Sequence, residues 1–385
     1  MANNPYLKDP GLHYPGAPGL SFSNYIQQCQ ALIQHNRLDL TQTTAETIIS
    51  ANSPYDLLPT TAPAKVGALL VHGLLDSPFV MKDIALGLQA QGLHTRSLLL
   101  PGHGTVPGAL LNIQYQDWLQ TLEYGIESLS QEVDQIFLVG YSTGATLALH
   151  HLLQNPSAQI AGLIMLAPAI KICSPFESIQ QWPLLLGQYW ERAKWLYISE
   201  ENDYAKYQSI PFNAGHQVYL LAQAVLAMSA EKKLRHPILS IIAEDDKTVS
   251  TKATLQYLEH YAPKHSQQLI YTRHDLTSHD ARVVKRPAIY KDDGIINFSH
   301  IALPNAPRNP HYGNQGDYSL ASHIEENLKN GSRYVYGASN NVKNKFNSLF
   351  YYLGLNPHLQ LRLTFNPDFE FMQQTIHEFI STTLD

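Results

Sequence analysis

The sequence predicts an α/β fold built on a doubly wound, mostly parallel sheet, and three observations carry that prediction. Short continuous apolar runs recur along the chain, as strands buried on both faces of a parallel sheet require. Stretches of helical period lie between them, so that strand and helix alternate. One run, Ile136–Val139, passes directly into Gly140-Tyr141-Ser142-Thr143-Gly144, a serine between two glycines where a strand meets a helix.

Length and composition narrow the field. A chain of 385 residues holds one large α/β domain or two medium ones with ample core. A net charge of −6 argues against a nucleic-acid surface, which needs clustered Lys and Arg. No run approaches the roughly 18 apolar residues that cross a bilayer, so no transmembrane segment is expected. Met1–Tyr6 has neither a basic start nor an apolar core, so no secretory signal is expected. Cys29 and Cys173 stand far apart and outside any CxxC pattern; a reducing, cytoplasmic setting follows. The 18 histidines include no HExxH, and His150-His151 are adjacent rather than four apart. They are expected to be scattered on the surface, with no metal site.

Residues 1–50 form an N-terminal extension ahead of a main domain over 51–385. Pro, Gly and Asn dominate to Gly19; Ser21 or Ser23 then caps a helix carrying Tyr25, Ile26, Ala31, Leu32 and Ile33. Lys65–Val71 is a buried strand ending in His72-Gly73-Leu74-Leu75-Asp76-Ser77-Pro78, where Ser77 and Pro78 suit a helix start. That helix stops near Gly92. Arg96–Leu100 is the next strand, closed by Pro101-Gly102-His103-Gly104, and a helix over about 111–130 leads to the central strand. Ala161–Leu166 and Pro237–Ala243 are further strands. The segment between them, about 170–235, breaks the alternation and holds Trp182, Trp190 and Trp195 with Leu184–Leu186. Inserted at the strand ends, where α/β sheets bind ligands, it is expected to be a helical cap. Lys252–Tyr261 reads as a helix and Gln267–Tyr271 as a strand. The polar stretch 273–293 reads as an insertion before a last strand, Ile295–Ser299, which ends at His300. Asn366 caps a C-terminal helix with Pro367 in its first turn and Phe369, Met372, Ile376, Phe379 and Ile380 on one face.

The glycine-flanked serine reads as a nucleophile elbow, a sharp turn that lifts Ser142 above the strand ends. A serine hydroxyl is almost un-ionised at neutral pH, so it needs a base within hydrogen-bond reach and a carboxylate to orient that base. Glu244-Asp245-Asp246, directly after the strand ending at Ala243, supplies acid candidates. An oxyanion formed on the substrate needs N–H donors. By position these are the amides of Thr143, after the nucleophile, and Leu74, in the loop after His72-Gly73.

The segments Val71–Pro78, Leu100–Gly104 and Gly140–Gly144, in that order, resemble the monoacylglycerol lipase and carboxylesterase branch of the α/β-hydrolase superfamily. The resemblance covers roughly residues 53–385 and implies the α/β-hydrolase fold with 170–235 as its lid. It implies Ser142 as nucleophile, Leu74 and Thr143 as oxyanion donors, and Asp246 as the acid, with Ala243 standing where relatives carry a glycine. Asp245 is the competitor, and Ala145 replaces a second family glycine. His72 and His103 belong to the loop motifs and read as structural.

For the base, a strand count nominates His274 or His279, both in a polar loop. His300 adjoins apolar residues that can fix its ring, and Ser299–Gly313 resembles the segment bearing the catalytic histidine in some bacterial esterases of this branch. His300 is therefore the expected base. The expected activity is hydrolysis of a lipophilic small-molecule carboxylic ester through an acyl-enzyme, without a cofactor. A thioesterase or amidase with the same triad is the enzyme rival, and a ligand-sensing protein on the same fold the non-catalytic one. The sequence specifies no oligomeric state.

Overall fold

A computed structural model describes residues 4–60, 64–173, 191–274, 281–318, 333–337 and 358–385. The N-terminal extension packs on the domain that follows. Helix α1 (Phe22–Asn36) is capped by Ser21, whose hydroxyl accepts from the Asn24 amide at 3.3 Å. Phe22, Tyr25, Cys29 and Ile33 recur at helical spacing and are buried. Inside, the Tyr25 hydroxyl accepts from the Leu99 amide at 3.1 Å and donates to the Leu99 carbonyl at 3.0 Å. Helix α2 (Ala45–Asn52) leads into the short edge strand β1 (Tyr55–Leu57).

Then come β2 (Val66–Val71), α3 (Lys82–Ala90), β3 (His94–Leu98), α4 (Tyr115–Ser130), β4 (Gln135–Tyr141), α5 (Thr143–Gln154) and β5 (Ile160–Leu166). After the insertion, which carries β6 (Trp195–Tyr197) and β7 (Ile210–Pro211), come α6 (Phe212–Glu231), β8 (Ile238–Ala243), α7 (Thr251–Tyr261), β9 (Gln267–Thr272) and β10 (Val283–Pro287). The main sheet runs β1-β3-β2-β4-β5-β8-β9-β10, and only β1 is antiparallel to its neighbour. Two strands outside it, β11 (Arg333–Gly337) and β12 (His358–Arg362), pair in parallel, and α8 (Phe369–Leu384) ends the chain. Helices α4, α5 and α6 pack on one another, while α3 and α8 pack together. Both faces of the central strands are thereby covered, which is why they read as unbroken apolar runs. Fully buried leucines such as Leu69, Leu138 and Leu163 each contribute about 1.5–3 kcal/mol of burial.

From β2 the chain steps one way to β3 and then back across β2 to β4. The carboxyl ends of β2 and β4 therefore adjoin where the winding reverses, the position at which such sheets bind ligands.

The fold departs from expectation in five places. Ile295–Ser299 is not a strand. Ile295 and Phe298 are fully buried while Ile296 is 38% exposed, and Phe298 stacks on Tyr271 with ring centroids 4.5 Å apart. The run is apolar because its side chains plug the core individually from a loop. The eighth strand, β10, lies instead inside the presumed polar insertion. It is a half-exposed edge strand, and its Arg286 pairs with Asp368 at 2.7 Å. Asn366 does not cap the last helix, which begins at Phe369; its side chain accepts from the Asp368 amide at 2.9 Å, one turn earlier. Helix α6, expected within the cap, packs on α4 and α5 as the crossover returning the chain to β8. Finally, His72, His94, His103, His150, His151, His236 and His311 are buried rather than superficial, as is His300. Trp182, Leu184–Leu186, Trp190 and His279 lie outside the described residues. Among the described helices none is long and apolar enough to cross a membrane.

Candidate active site

At the end of β4 the chain turns so sharply that Ser142 takes φ 53° and ψ −114°, in the region that favours glycine. The glycines on either side allow it. A β-carbon on Gly140 would lie 2.3 Å from the Ala145 Cα, and one on Gly144 would lie 2.2 Å from the Val71 carbonyl oxygen. Neither contact can exist, so only glycine lets α5 approach β2 and β4 this closely. The strained residue is clamped on both sides: its amide donates to the Leu166 carbonyl at 2.8 Å, and its carbonyl accepts from Ala169 at 3.2 Å.

Above the turn three side chains meet in a line. His300 Nε2 lies 3.0 Å from Ser142 Oγ, and His300 Nδ1 lies 2.6 Å from Asp246 Oδ2. An ionised carboxylate only accepts, so Nδ1–H donates to Asp246 and Nε2 is left to accept from the serine hydroxyl. Asp246 Oδ1 takes two further donors, the amides of Thr248 at 2.7 Å and Val249 at 3.1 Å. Burial alone would raise its carboxyl; the electrostatic pull and hydrogen bond of the His300 ring, with these amides, outweigh burial and hold it below the usual carboxylate range. His300 is fixed by its surroundings. Tyr141 donates to its carbonyl at 3.2 Å, and the Ser299 hydroxyl donates to the Leu363 carbonyl.

The other sequence candidates lie elsewhere. Asp245 Oδ1 pairs with Arg273 at 2.6 Å. His274 is exposed and meets Glu244 at 3.3 Å. Leu74 lies in the loop after β2, and Thr143 is the first residue of α5, so both follow the strand ends that adjoin at the winding reversal.

His72 and His103 hold that loop. His72 Nε2 accepts from the Leu100 amide at 3.1 Å while Nδ1 donates to the Gly73 carbonyl at 2.8 Å. His103 Nε2 accepts from the Leu75 amide at 3.0 Å while Nδ1 lies 3.1 Å from the Pro101 carbonyl. Each must be neutral to accept. Burial pushes His72 down to about 4 and His103 to about 3, against partial compensation from the carbonyls. On α5, burial and the neighbouring His150 and His236 push His151 to about 4.

These shifts fix a pH dependence of stability. In the unfolded chain such histidines titrate near 6.5. Their stabilising contribution is complete above that pH and is lost as pH falls through the folded values, at about 1.4 kcal/mol per pH unit for each. His311 works in the opposite sense. Its burial is outweighed by Asp203 and Asp317, which raise it, so its contribution is present at low pH and lost as pH rises through its folded value. Burial lowers His150 and His216 as well, so five histidines are lowered against one raised, and the urea midpoint should fall steadily between pH 7 and pH 5. A flat or rising profile there would contradict the neutral assignments.

Two arrangements escaped sequence reasoning. Lys206 Nζ lies 2.5 Å from Asp76 Oδ1, joining residues 130 positions apart in the chain. The buried His311 ring bonds Asp203 at 2.9 Å and Asp317 through its other nitrogen, and the Tyr312 hydroxyl donates to Asp203 at 2.9 Å. Only the local run through His311-Tyr312 carried any signal of the second; nothing near Lys206 announced the first. Among the described residues no group of three or more His, Cys, Asp or Glu could hold a metal ion.

The model of a family described as serine aminopeptidase, S33 matches residues 62–280. A thermostable monoacylglycerol lipase from Bacillus sp. (strain H-257) is 33% identical over 107 residues, which is 28% of this chain and 42% of that protein's length. A structure reported for the metagenome-derived lipolytic enzymes LipS and LipT superposes with a TM-score of 0.49 at 20% identity, over 58% of this chain and 88% of that one. A soluble variant of monoglyceride lipase from Saccharomyces cerevisiae gives 0.48 at 13% identity, over 57% and 82%.

Proposed function

Because the chain belongs to the serine aminopeptidase S33 family of α/β hydrolases, we propose that it is a serine hydrolase cleaving lipophilic carboxylic esters through an acyl-enzyme. The observation that carries the reading is the unbroken line Asp246–His300–Ser142, with links of 2.6 and 3.0 Å. A ligand-sensing protein has no use for a nucleophile already bonded to an oriented base.

Ser142 Oγ attacks the ester carbonyl carbon as its proton passes to His300 Nε2. Asp246 stabilises the resulting imidazolium, and the Leu74 and Thr143 amides face the oxygen that becomes negative. Collapse breaks the carbon–oxygen bond to the alcohol, which departs with the proton from His300. Water then attacks the acyl-serine by the same route, with His300 taking its proton and returning one to Ser142. The described part of the insertion, residues 191–211, meets the loop after β2 through Tyr207 and Lys206, which supports a cap over the strand ends.

The similarity to a monoacylglycerol lipase and the Trp and Leu content of 170–235 support an apolar acyl or alcohol group. Each buried CH₂ is worth about 0.8 kcal/mol, so kcat/KM on p-nitrophenyl esters should rise several-fold for every two acyl carbons until the pocket is full. Thioesters and anilides assayed alongside separate the esterase from its thioesterase and amidase rivals. A preference confined to acetate, or faster turnover of anilides than esters, would contradict the proposal.

A further inference from the structure

We propose that Lys206 neutralises Asp76 beside the oxyanion loop, and so allows negative charge to develop on the substrate there. It is a positioning residue acting through Asp76, and the inference rests on the ester-hydrolase reading above.

Asp76 is 5% exposed and belongs to the turn that follows β2. Its carboxylate leans towards the nucleophile. A β-carbon built on Gly73 would lie 2.6 Å from Asp76 Oδ2 and 3.1 Å from the Ser142 Cβ, so the two flank a single vacant point. A bare carboxylate at that range would oppose the oxyanion strongly, because Asp76 and Ser142 are both buried and the field between them is weakly screened. Lys206 meets the other carboxylate oxygen at 2.5 Å and cancels the charge.

Lys206 reaches Asp76 from the insertion between β5 and β8, on a short stretch anchored from several directions. The Tyr207 amide donates to the Leu75 carbonyl at 2.8 Å, and the Tyr207 hydroxyl accepts from the Thr105 amide at 2.7 Å. The Tyr204 carbonyl accepts from Arg37 and Asn52, each at 2.7 Å. Asp203 is held by His311 and Tyr312. Arg37 and Asn52 belong to the N-terminal extension and α2, so that otherwise unexplained part of the chain helps deliver the Lys206 charge.

The test compares full-length wild type, Lys206→Met, Lys206→Arg and the double variant Asp76→Asn/Lys206→Met, each checked for folding by its thermal midpoint. Turnover of a p-nitrophenyl ester gives kcat and KM. Inhibition by phenylboronic acid reports the oxyanion environment, since Ser142 Oγ adds to boron, its proton passes to His300, and a tetrahedral anion forms. Lys206→Met should lower kcat roughly ten- to a hundredfold, with KM little changed and boronate inhibition weakened in proportion. Lys206→Arg should keep most of the activity. Removing the Asp76 charge as well should restore kcat to within roughly threefold of wild type, the non-additivity expected of directly interacting groups. Wild-type kcat in Lys206→Met, or a folded double variant as slow as the single one, overturns the inference while leaving the hydrolase reading intact. A wild type inert to every ester removes both. If Lys206→Met fails to fold, the double variant decides alone: near-wild-type turnover supports the inference, and its loss overturns it.

Discussion

Replacing Ser142 with alanine should cut kcat on any ester substrate by at least about a thousandfold while leaving the thermal midpoint close to wild type. The covalent step needs the hydroxyl, and what remains is substrate binding and the oxyanion donors acting on water. Folding should survive because the hydroxyl bonds to His300 Nε2, whereas the turn is held by backbone contacts to Leu166 and Ala169. Alanine keeps the same backbone demand at φ 53°, so no new strain enters. Near-normal turnover by a folded Ser142→Ala protein would remove the nucleophile from the account.

His300→Ala should be comparably severe, again at least about a thousandfold in kcat, because a triad functions as a unit. The substitution also strips Asp246 of the partner that most strongly opposes its burial. His274→Ala serves as a control and should stay within about twofold of wild type, the usual range for surface changes away from the chemistry; His279→Ala, the other base candidate offered by the sequence, should do the same. His274 is exposed and paired with Glu244, and it takes no part in the line to Ser142. An active His300→Ala enzyme, or an inactive His274→Ala or His279→Ala enzyme, would place the base upstream.

The parts of this molecule that sequence reveals are those whose neighbours in space are neighbours in the chain. The elbow is legible because strand, turn and helix lie within about twenty residues, and its glycines answer to a local clash. Strands β2, β4, β5 and β8 are legible because burial on both faces makes them apolar throughout. The edge strand β10 reads as a loop because one half-exposed side tolerates Lys285 and Arg286. The run at 295–299 reads as a strand because composition cannot distinguish a buried strand from a loop whose side chains reach inward. His300 is exceptional among the site residues, since no strand delivers it; the packing of Phe298 on Tyr271 and the bond from Tyr141 do so. The burial of the histidines is illegible in the sequence for a related reason. The amide that His72 accepts belongs to Leu100, and the one that His103 accepts belongs to Leu75, partners that no local pattern announces.

The central claim is that Ser142 is a nucleophile activated by His300, and covalent capture tests it most directly. Wild-type protein treated with a fluorophosphonate and then digested should carry one phosphonyl group, on the peptide containing Ser142. Fluoride departs as the serine oxygen–phosphorus bond forms, and His300 takes the hydroxyl proton. Labelling should be slowed by at least about a thousandfold in His300→Ala and abolished in Ser142→Ala. A folded wild type that takes up no label, or takes it up on another residue with Ser142 unmodified, would contradict the account.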